Sequence, residues 1–385
     1  MPAAGAQHTV VLRSDGQAIA SGNNLYRQCD IPALPEGVAY TQIATGFRHT
    51  VLLKSDGNVV ACGENSFGQC SIPVLPHNLV YTQVDAGAWH TILLKSDGNI
   101  VACGDDCDGQ CRIPALPEGL AYTQFAAGYM HTVLLTSDGK VVACGYNSKG
   151  QCNVPALRNC IVYMRVSAGY EHTVFLRSDG TVVACGDNSH QQCRIPDLPK
   201  GLSYKQTAAG DYHTALLISD GTVITCGNNF YGQCDIPSLP EGLAYTQVAA
   251  GRWHTVLLRS NGTVVTCGSN FKGQCSIPAL SEGLTYKQVA PGKVQILSLH
   301  FGSHHAIFHT LSGKEECRLE INGSDSFKDI QDAFMSNVEG DRQYLVLMPK
   351  GPISDSHELL STVCLRTPSA SVEPYILRCR RRTAG

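Results

Sequence analysis

Histidines at a constant spacing are the first feature that could carry chemistry. The tripeptide His-Thr-(Val/Ile/Ala) recurs in steps of 41 residues, starting at His8, His49, His90, His131, His172, His213 and His254. A ring of imidazoles suggests metal binding, but zinc needs its ligands about 2.0–2.1 Å from one ion, and side chains of separate repeats lie too far apart. We predict no metal site. The last six histidines are predicted to be structural, bonding to backbone and tying neighbouring repeats together.

Cysteines also recur in register, in pairs eight residues apart in six repeats. The pairs are Cys62/Cys70, Cys103/Cys111, Cys144/Cys152, Cys185/Cys193, Cys226/Cys234 and Cys267/Cys275. Two thiolates fall short of a four-ligand zinc site, and the sequence has no C-x-x-C motif. The start MPAAGAQHTV lacks a basic segment followed by an apolar one, so a reducing compartment is the default. Packed free thiols are predicted, with disulfides inside the repeats as the alternative.

Catalytic motifs are not found among the remaining residues. Asp105-Asp106-Cys107-Asp108-Gly109 hints at a calcium loop but lacks the downstream Glu that such a loop requires. We find no glycine-rich phosphate loop, no serine elbow and no carboxylate pair at catalytic spacing. The sequence therefore predicts a protein that is not an enzyme and needs no cofactor.

Each 41-residue unit reads as four short strands. His-Thr-Val-Leu-Leu is rich in β-branched residues, and Asp-Gly, the favoured two-residue hairpin turn, leads to Val-Val-Ala-Cys. A polar Gly-x-Asn-x-x-Gly-Gln loop precedes Cys-x-Ile-Pro, which suits a sheet edge because proline donates no hydrogen bond. Leu-Pro-Glu-Gly then turns the chain into Ala-Tyr-Thr-Gln-Val. Four strands per unit of about 40–45 residues are typical of a β-propeller blade.

Seven such units predict a closed propeller over residues 1–294. Ala3-Ala4-Gly5 reads as the end of a missing first strand, and residues 284–289 are a surplus copy of that strand. Pairing the two termini would complete one blade from both ends and remove the free sheet edges. The fold class is therefore all-β, a seven-bladed β-propeller.

The pattern G-x-x-H-T, S-D-G, C-G-x-N and G-Q resembles the repeats of the regulator of chromosome condensation family. The resemblance covers residues 3–294 and implies a seven-bladed propeller. Members of that family exchange nucleotide on a small GTPase at nucleosomes, sense ultraviolet light, inhibit β-lactamase, or capture substrates beside ubiquitin-ligase domains. The resemblance thus implies the fold, but it does not single out one of these functions.

Beyond residue 294 the period fails, and we predict a linker over 295–304 followed by a second domain over 305–385. Residues 309–314, 319–321 and 324–327 resemble the first hairpin and helix start of ubiquitin, with a helix over about 326–337. A strand over 343–347 and a final strand over 375–380 complete a small ubiquitin-like β-grasp (α+β) domain. The chain ends Arg-Thr-Ala-Gly rather than Gly-Gly, so docking rather than conjugation is expected. Alternatively, residues 302–314 are a decayed eighth repeat.

Positions at which the repeats differ are candidates for binding a partner. They lie between the Gly and His of Gly-x-x-His and before the Gly-Gln of the polar loop, and both loops of an up-and-down blade meet at one end. Aromatic and charged residues, which dominate binding hot spots, concentrate there; neutral drift of exposed loops is the alternative. The predicted partner-binding residues are Phe47, Arg48, Phe67, Trp89, Asp108, Tyr129, Lys149, Tyr170, Glu171, Asp211, Tyr212, Tyr231, Arg252, Trp253 and Lys272.

Composition limits the classes of partner that the chain is expected to bind. The net charge is −3 and charged residues make up 16%, which disfavours nucleic-acid binding, and no apolar stretch reaches the 18 residues of a membrane span. We predict a monomeric, cytoplasmic or nuclear scaffold that binds a protein or peptide through the variable loops, with recognition of substrates or partners in a ubiquitin-related pathway as a role for it. Guanine-nucleotide exchange on a small GTPase is the alternative, although the uniform repeats leave no insertion for it.

Overall fold

The computed structural model describes residues 3–157, 161–281 and 283–286 in full, and beyond them the backbone of six strands. Seven antiparallel sheets of three strands each form the blades of the propeller. The first strands are β1 (Ala3–Ala4), β4 (Tyr40–Thr45), β7 (Tyr81–Ala86), β10 (Tyr122–Ala127), β13 (Tyr163–Ala168), β16 (Tyr204–Ala209) and β19 (Tyr245–Ala250).

The two other strands of each blade complete an up-and-down sheet. The second strands are β2 (His8–Leu12), β5 (His49–Lys54), β8 (His90–Lys95), β11 (His131–Thr136), β14 (His172–Arg177), β17 (His213–Ile218) and β20 (His254–Arg259). The third strands are β3 (Ala18–Gly22), β6 (Val59–Gly63), β9 (Ile100–Gly104), β12 (Val141–Gly145), β15 (Val182–Gly186), β18 (Val223–Gly227) and β21 (Val264–Gly268). The seven-bladed propeller predicted from the repeats is confirmed.

The fourth strand predicted for each unit is not a strand in the described blades. In blade 2 the amide of Ile72 donates to the carbonyl oxygen of Cys70 at 3.0 Å, a tight turn that withdraws this donor from any ladder. Pro73 and Pro76 have no amide proton to offer. The segment instead covers the sheet edge, since Ile72 and Leu75 pack against the core between blades 2 and 3.

The hairpin turn between the second and third strands differs slightly from the prediction. Lys54 donates from its amide to the carbonyl of Asn58 at 2.9 Å, which closes a three-residue loop rather than the expected two-residue turn. Asp56 accepts the amide proton of Asn58 at 2.9 Å. Gly57 has a φ of 78°, and a Cβ there would lie 2.6 Å from Val80, so the extra residue must be glycine.

The hydrophobic core lies between successive blades. Val51 and Leu52 of β5 are fully buried, and the equivalent pair in every other blade is at most 1% exposed. Val51 packs with Val84 and Leu93 of blade 3, so each sheet buries both faces against its neighbours. This packing explains why few charged residues are needed inside the repeats and fixes the strand ends that carry the loops.

Both termini of the repeat region complete blade 1. Ala3 pairs with Val10 within the first sheet, and Tyr286 forms an antiparallel bridge with Arg13, the residue that directly follows β2. Ser14 donates its amide to the carbonyl of Thr285 at 2.8 Å. The predicted closure of one blade from both ends is therefore confirmed.

The remaining strands form two further sheets. They are β22 (Leu297–Phe301), β23 (His305–Thr310), β24 (Glu315–Glu320), β25 (Leu345–Pro349), β26 (Leu360–Cys364) and β27 (Leu377–Cys379). Four run in the order β24-β23-β22-β27, with β22 parallel to β27, while β25 pairs with β26.

These strands bear on both interpretations of the C-terminal segment. β22 lies within the stretch predicted as a linker, β23 and β24 overlap the expected ubiquitin-like hairpin, and the expected helix lies outside the described residues. Phe301 pairs with Ala306 as Thr45 pairs with Thr50 in blade 2, the register that an eighth repeat would have. The ubiquitin-like domain stays a prediction. In the described part of the chain, no helix is long and apolar enough to span a bilayer.

Candidate protein-binding face

The Gly-x-x-His loops join the first and second strands, and their geometry is set by the two constant residues. In blade 2 the amide of Gly46 donates to the carbonyl of His49 at 2.9 Å. A Cβ on Gly46 would lie 2.3 Å from the imidazole Cε1 and from the carbonyl of Gly87 in the next blade, so no larger residue fits. The loop tip therefore presents Phe47 and Arg48 outwards on a rigid base.

The constant histidines link neighbouring blades through side chains. Each imidazole Nε2 lies 2.8–3.0 Å from the hydroxyl of the Thr that follows the His of the next blade. The pairs are His8–Thr50, His49–Thr91, His90–Thr132, His131–Thr173, His172–Thr214, His213–Thr255 and His254–Thr9. The last pair closes the ring of seven blades.

These hydrogen bonds fix the tautomer. The hydroxyl of Thr91 donates its proton to the carbonyl of Gln69 at 2.7 Å, so it can only accept from His49. Nε2 is therefore protonated, and Nδ1 accepts no hydrogen bond among the described residues. The partner is a hydroxyl, not the backbone group expected from the sequence. Complete burial lowers the pKa of His49 to about 3, helped by the neighbouring His8 and His90, so the imidazole stays neutral.

The Gly-x-Asn loops follow the third strands and lie at the same end of each blade. Glu64, at the start of this loop in blade 2, donates its amide to the carbonyl of Arg48 at 2.9 Å. Asn65 accepts the amide of Cys70, and the buried Gln69 side chain accepts the amide of Phe67. With their backbone bonded in this way, the loop tips turn their variable side chains to solvent.

Six aromatic side chains from six Gly-x-x-His loops form an inner ring around the axis. Ring centroids lie 5.2 Å apart for Phe47 and Trp89, 6.3 Å for Phe47 and Tyr129, and 4.0 Å for Tyr129 and Tyr170. The series continues through Tyr170–Tyr212 at 5.5 Å and Tyr212–Trp253 at 4.5 Å, both stacked. The inner ring is defined by Phe47, Trp89, Tyr129, Tyr170, Tyr212 and Trp253.

Two arginines complete the inner ring where blade 1 contributes only small or amide side chains. The guanidinium of Arg252 lies 5.4 Å from the ring centre of Phe47 and 5.6 Å from that of Trp253. Arg48 lies 4.4 Å from the ring centre of Tyr26. Such distances are typical of cation–π contacts. Arg48 also pairs with Glu64 at 3.2 Å, so its charge is partly neutralised.

Two half-buried carboxyl groups have perturbed pKa values, those of Asp211 and Asp85. Burial raises the pKa of Asp211 to about 6, opposed by the Arg252 guanidinium 3.6 Å away. A cavity of about 230 Å³ follows the axis between the first strands, and Asp85 lines it. Burial also raises the pKa of Asp85 to about 6, although its two oxygens each accept a backbone amide at 2.9 Å, from Ala86 and Ala127. Both carboxyls have backbone or arginine partners, as structural groups do.

Most of the predicted partner-binding residues are brought together. Besides the inner ring, Phe67 contacts Trp89 at 5.6 Å and Tyr231 contacts Trp253 at 5.3 Å, so the two loop types share one aromatic network. Glu171 is half-buried beside Tyr170. Three predicted residues lie exposed at loop tips, and in the described part of the chain they make no ion pair or aromatic contact: Asp108, Lys149 and Lys272. The structure thus gives the location of these residues, and their binding role stays a prediction.

Comparison of the repeats in sequence did not identify three exposed residues. They lie one position before the predicted partner-binding position of the Gly-x-Asn loop. Leu25, Phe230 and Phe271 are 80%, 81% and 80% exposed. The signal was available, because three other repeats carry serine at this position: Ser66, Ser148 and Ser189. Three large apolar side chains at a position otherwise occupied by small residues mark a departure from the repeat.

No metal site emerges from the described residues, where no cluster of three or more His, Cys, Asp or Glu could hold an ion. The fourteen described cysteines are free thiols. Burial raises the pKa of Cys62 to about 12, and its thiol donates to the carbonyl of Gln28 at 3.7 Å. These thiols act as small packed side chains with little thiolate at neutral pH.

Solved structures share this fold at low identity. Prp20p from Saccharomyces cerevisiae, which binds Gsp1p and histones, aligns with a TM-score of 0.57 at 16% identity over 86% of this chain and 95% of its own. Human WBSCR16 aligns with a TM-score of 0.54 at 19% identity, covering 64% and 81%. The ectodomain of the Arabidopsis thaliana receptor kinase ACR4 gives 0.53 at 18%, covering 70% and 95%.

No curated protein sequence matches the chain significantly. A family model for the regulator of chromosome condensation (RCC1) repeat matches seven segments, residues 3–28, 40–69, 81–110, 122–151, 165–192, 204–233 and 245–274. Each segment runs from a first strand to the buried glutamine of the Gly-x-Asn loop. It therefore includes both loop types that build the face. Because these segments make up more than half of the sequence, the chain belongs to the family of regulator of chromosome condensation (RCC1) repeat proteins.

Proposed function

We propose that the protein is a non-enzymatic scaffold that binds a protein partner on the face formed by the Gly-x-x-His and Gly-x-Asn loops. The observation that carries this proposal is the inner ring, in which variable residues of six blades form one aromatic surface with two arginines. Aromatic and arginine side chains supply most binding energy in protein interfaces. The other end of the blades repeats Asp-Gly or Asn-Gly turns.

The rigidity of the frame supports this function. The His–Thr hydrogen bonds and the inter-blade cores hold the loop bases in fixed positions, so a partner meets a surface that is already ordered. A preordered surface loses little conformational entropy on binding. Among similar structures, Prp20p binds Gsp1p and histones, and yeast RCC1 (Prp20) is bound by Kap60. These partners are proteins, which supports a protein rather than a small ligand here.

Affinity capture with quantitative mass spectrometry tests the proposal. Bait with Phe47→Ala and Trp89→Ala, and bait with Tyr170→Ala and Trp253→Ala, should each lose the partners that wild type retains. Lys140→Ala at the opposite, Asp-Gly end of a blade is the matched control, because this side chain is 78% exposed and away from the ring. Circular dichroism melts establish that each bait is folded. Equal capture by all four baits would contradict the proposal.

Nucleotide exchange on a small GTPase is the alternative function for the same face. The described repeats keep their 41-residue period without an insertion, and an exchange factor needs an element that wedges into the nucleotide site. We therefore expect no acceleration of labelled GDP release from a panel of small GTPases. Acceleration that is lost in the Tyr170→Ala and Trp253→Ala bait would make exchange the function of the same face.

A further inference from the structure

One hairpin turn of the propeller carries an amide where the other six carry a carboxylate. Between the second and third strands the chain reads Asp-Gly in blades 1 to 6 and Asn261-Gly262 in blade 7. Residues 260–263 of blade 7 and 219–222 of blade 6 differ only at this position. Asn261 is exposed, and an exposed Asn-Gly pair readily loses its side-chain amide, because glycine has no Cβ to hinder attack by its backbone nitrogen. The chain's other Asn-Gly pair, residues 322–323, lies outside the described residues.

Thr263 holds the side-chain amide of Asn261 by its oxygen. Oδ1 of Asn261 accepts the backbone N–H of Thr263 at 3.1 Å and its hydroxyl at 2.7 Å. Two donors on one carbonyl oxygen stabilise the negative charge that develops there when a nucleophile adds to Cγ, as an oxyanion hole does. The same contacts keep the carboxamide folded back over the turn.

The attacking nitrogen is restrained by one hydrogen bond. The N–H of Gly262 donates to the carbonyl of Arg259 at 2.9 Å, at the solvent-exposed end of the hairpin. Opening this bond costs little, because water replaces the lost partner. Both contacts on Oδ1 of Asn261 can persist while it opens, so the turn activates Cγ without blocking attack.

The turn is equally suited to the acid product. In blade 6, Asp220 accepts the backbone N–H and the hydroxyl of Thr222 at 2.9 Å and 2.7 Å. These are the two contacts that Asn261 receives, with nearly the same lengths. An aspartate at position 261 would therefore find a loop whose sequence and hydrogen bonds the chain already uses.

An arginine near this turn would also favour the product. Arg259 precedes Asn261 by two residues; its guanidinium hydrogen-bonds to the neutral Tyr245, and its buried Nε has no hydrogen-bond partner among the described residues. In blade 1 the arginine at the same position, Arg13, pairs with the turn carboxylate of Asp15. Conversion of the amide to a carboxylate would supply blade 7 with the missing negative charge.

We propose that Asn261 is a self-modification site, at which the folded turn converts asparagine to aspartate. The Gly262 nitrogen bonds to Cγ, the Cγ–Nδ2 bond breaks, and the Gly262 amide proton leaves with Nδ2 as ammonia, which gives a succinimide. Water then adds to the imide. Cleavage of the new N–Cγ bond gives aspartate, and cleavage at the main-chain carbonyl gives isoaspartate. The proposal is independent of partner binding, since the turn lies at the end of the blades opposite to the candidate face.

The strand that closes the ring favours aspartate over isoaspartate. Tyr286 donates its amide to the carbonyl of Gly262 at 2.9 Å, and a Cβ on Gly262 would lie only 2.6 Å from Thr285. Isoaspartate lengthens the backbone of the loop by one atom, so it would displace Gly262 from these contacts. Aspartate leaves the backbone unchanged, and we expect it to be the main product in the folded protein.

Peptide mapping by mass spectrometry during incubation of the full-length protein at neutral pH tests the proposal. Aspartate should form at position 261 at least about tenfold faster than at Asn58 and Asn99. These two are matched controls, because they are exposed in the equivalent hairpins of blades 2 and 3 but precede the β-branched Val59 and Ile100. Equal rates at the three positions, or isoaspartate as the main product at position 261, would overturn the proposal.

Variants of Thr263 separate chemistry assisted by the turn from the ordinary reactivity of Asn-Gly. Thr263→Val removes the hydroxyl donor and should slow conversion about tenfold, whereas Thr263→Ser keeps the hydroxyl and should keep the rate. Thr263→Gln copies Gln17 of blade 1 and is a second variant without the hydroxyl. In urea, where the turn is absent, all four proteins should react alike. A folded Thr263→Val protein that converts as fast as wild type would overturn the role of the turn.

Asn261→Asp tests whether the fold accepts the product. Its melting temperature should equal or exceed that of wild type, because the two Thr263 contacts are retained and Arg259 gains a nearby carboxylate. A melting temperature below that of wild type would contradict the fit of the turn to aspartate and overturn the proposal.

Discussion

Lowering the pH from 7.5 to 6.0 should destabilise this propeller by about 5 kcal/mol, because seven buried histidines remain neutral in the folded state. Burial lowers the pKa of His8, His49, His131 and His213 to about 3 and that of His90, His172 and His254 to about 4. In the unfolded chain the same groups titrate near 6.5. The contribution of these groups to the free energy of unfolding is therefore fully present above that pH and is lost as the pH falls below it.

The magnitude follows from the proton uptake on unfolding. At pH 6.0 each histidine costs about 0.8 kcal/mol relative to pH 7.5, and seven cost about 5.5 kcal/mol. Asp85 and Asp211 act in the opposite direction, because a raised carboxyl pKa relieves the folded state as the pH falls. Because the pKa of each of these carboxyls is near 6 in the folded state, the two together offset about 0.8 kcal/mol of the loss in stability. The net loss is a large part of a typical total stability of about 5–15 kcal/mol.

Urea titrations followed by far-UV circular dichroism at pH 7.5, 7.0, 6.5 and 6.0 measure this loss. The slope at pH 6.0 should correspond to about four protons taken up on unfolding. His90→Gln removes one titrating group and should lower that number by about 0.8, even if the variant is less stable at every pH. A free energy of unfolding that changes by less than about 1 kcal/mol across this range would refute the reasoning, since the imidazoles would then accept protons within the fold.

Three further predictions concern the frame. Gly87→Ala should cost about 3 kcal/mol in urea titration, because its Cβ would lie 2.3 Å from the His90 imidazole, whereas Gly37→Ala, at a φ of 78° with open space around it, should cost only about 1 kcal/mol. Equal costs would argue against the steric reading of the Gly-x-x-His loop. Iodoacetamide at pH 7 under native conditions should modify the exposed Cys107 well before the other described cysteines, as read by peptide mass spectrometry; uniform labelling would mean that the blades open readily. Deletion of residues 305–385 should leave the far-UV spectrum of a folded propeller, because the closing contacts lie within residues 3–286; loss of the fold would favour the eighth-repeat interpretation.

The repeat period made the fold predictable, because a constant period of 41 residues, without insertions or deletions, constrains every blade at once. Alternation in His-Thr-Val-Leu-Leu and the Asp-Gly turn located two strands, and the two partial strands at the ends indicated how the ring closes. The fourth strand failed because Pro73 and the turn at Ile72 remove the donors that a ladder needs. The partner of the histidines was also missed, since a contact between His49 and Thr91 spans two blades and leaves no local signal.

The position of the candidate face was predictable from the sequence, but the contacts among its side chains were not. Variation among the repeats identified Phe47, Trp89 and their equivalents, yet their mutual contacts depend on side-chain directions across blades. Residues 47 and 129 touch although they come from blades 2 and 4. Leu25, Phe230 and Phe271 were missed because their loop position is serine in three of the other four repeats, so only the exposure of these side chains in the structure gave the position weight.

The arrangement of constant and variable residues within one loop explains how such a frame can serve recognition. In Gly46-Phe47-Arg48-His49 the outer two residues are fixed by steric contact and by a side-chain hydrogen bond to the next blade, and the side chains of the inner two take part in neither of these contacts. A change at position 47 or 48 therefore alters the surface without altering the closure of the ring. The converse also holds, because loss of one His–Thr contact would loosen two neighbouring loop bases at once. Specificity and stability are thus carried by adjacent residues that can change independently.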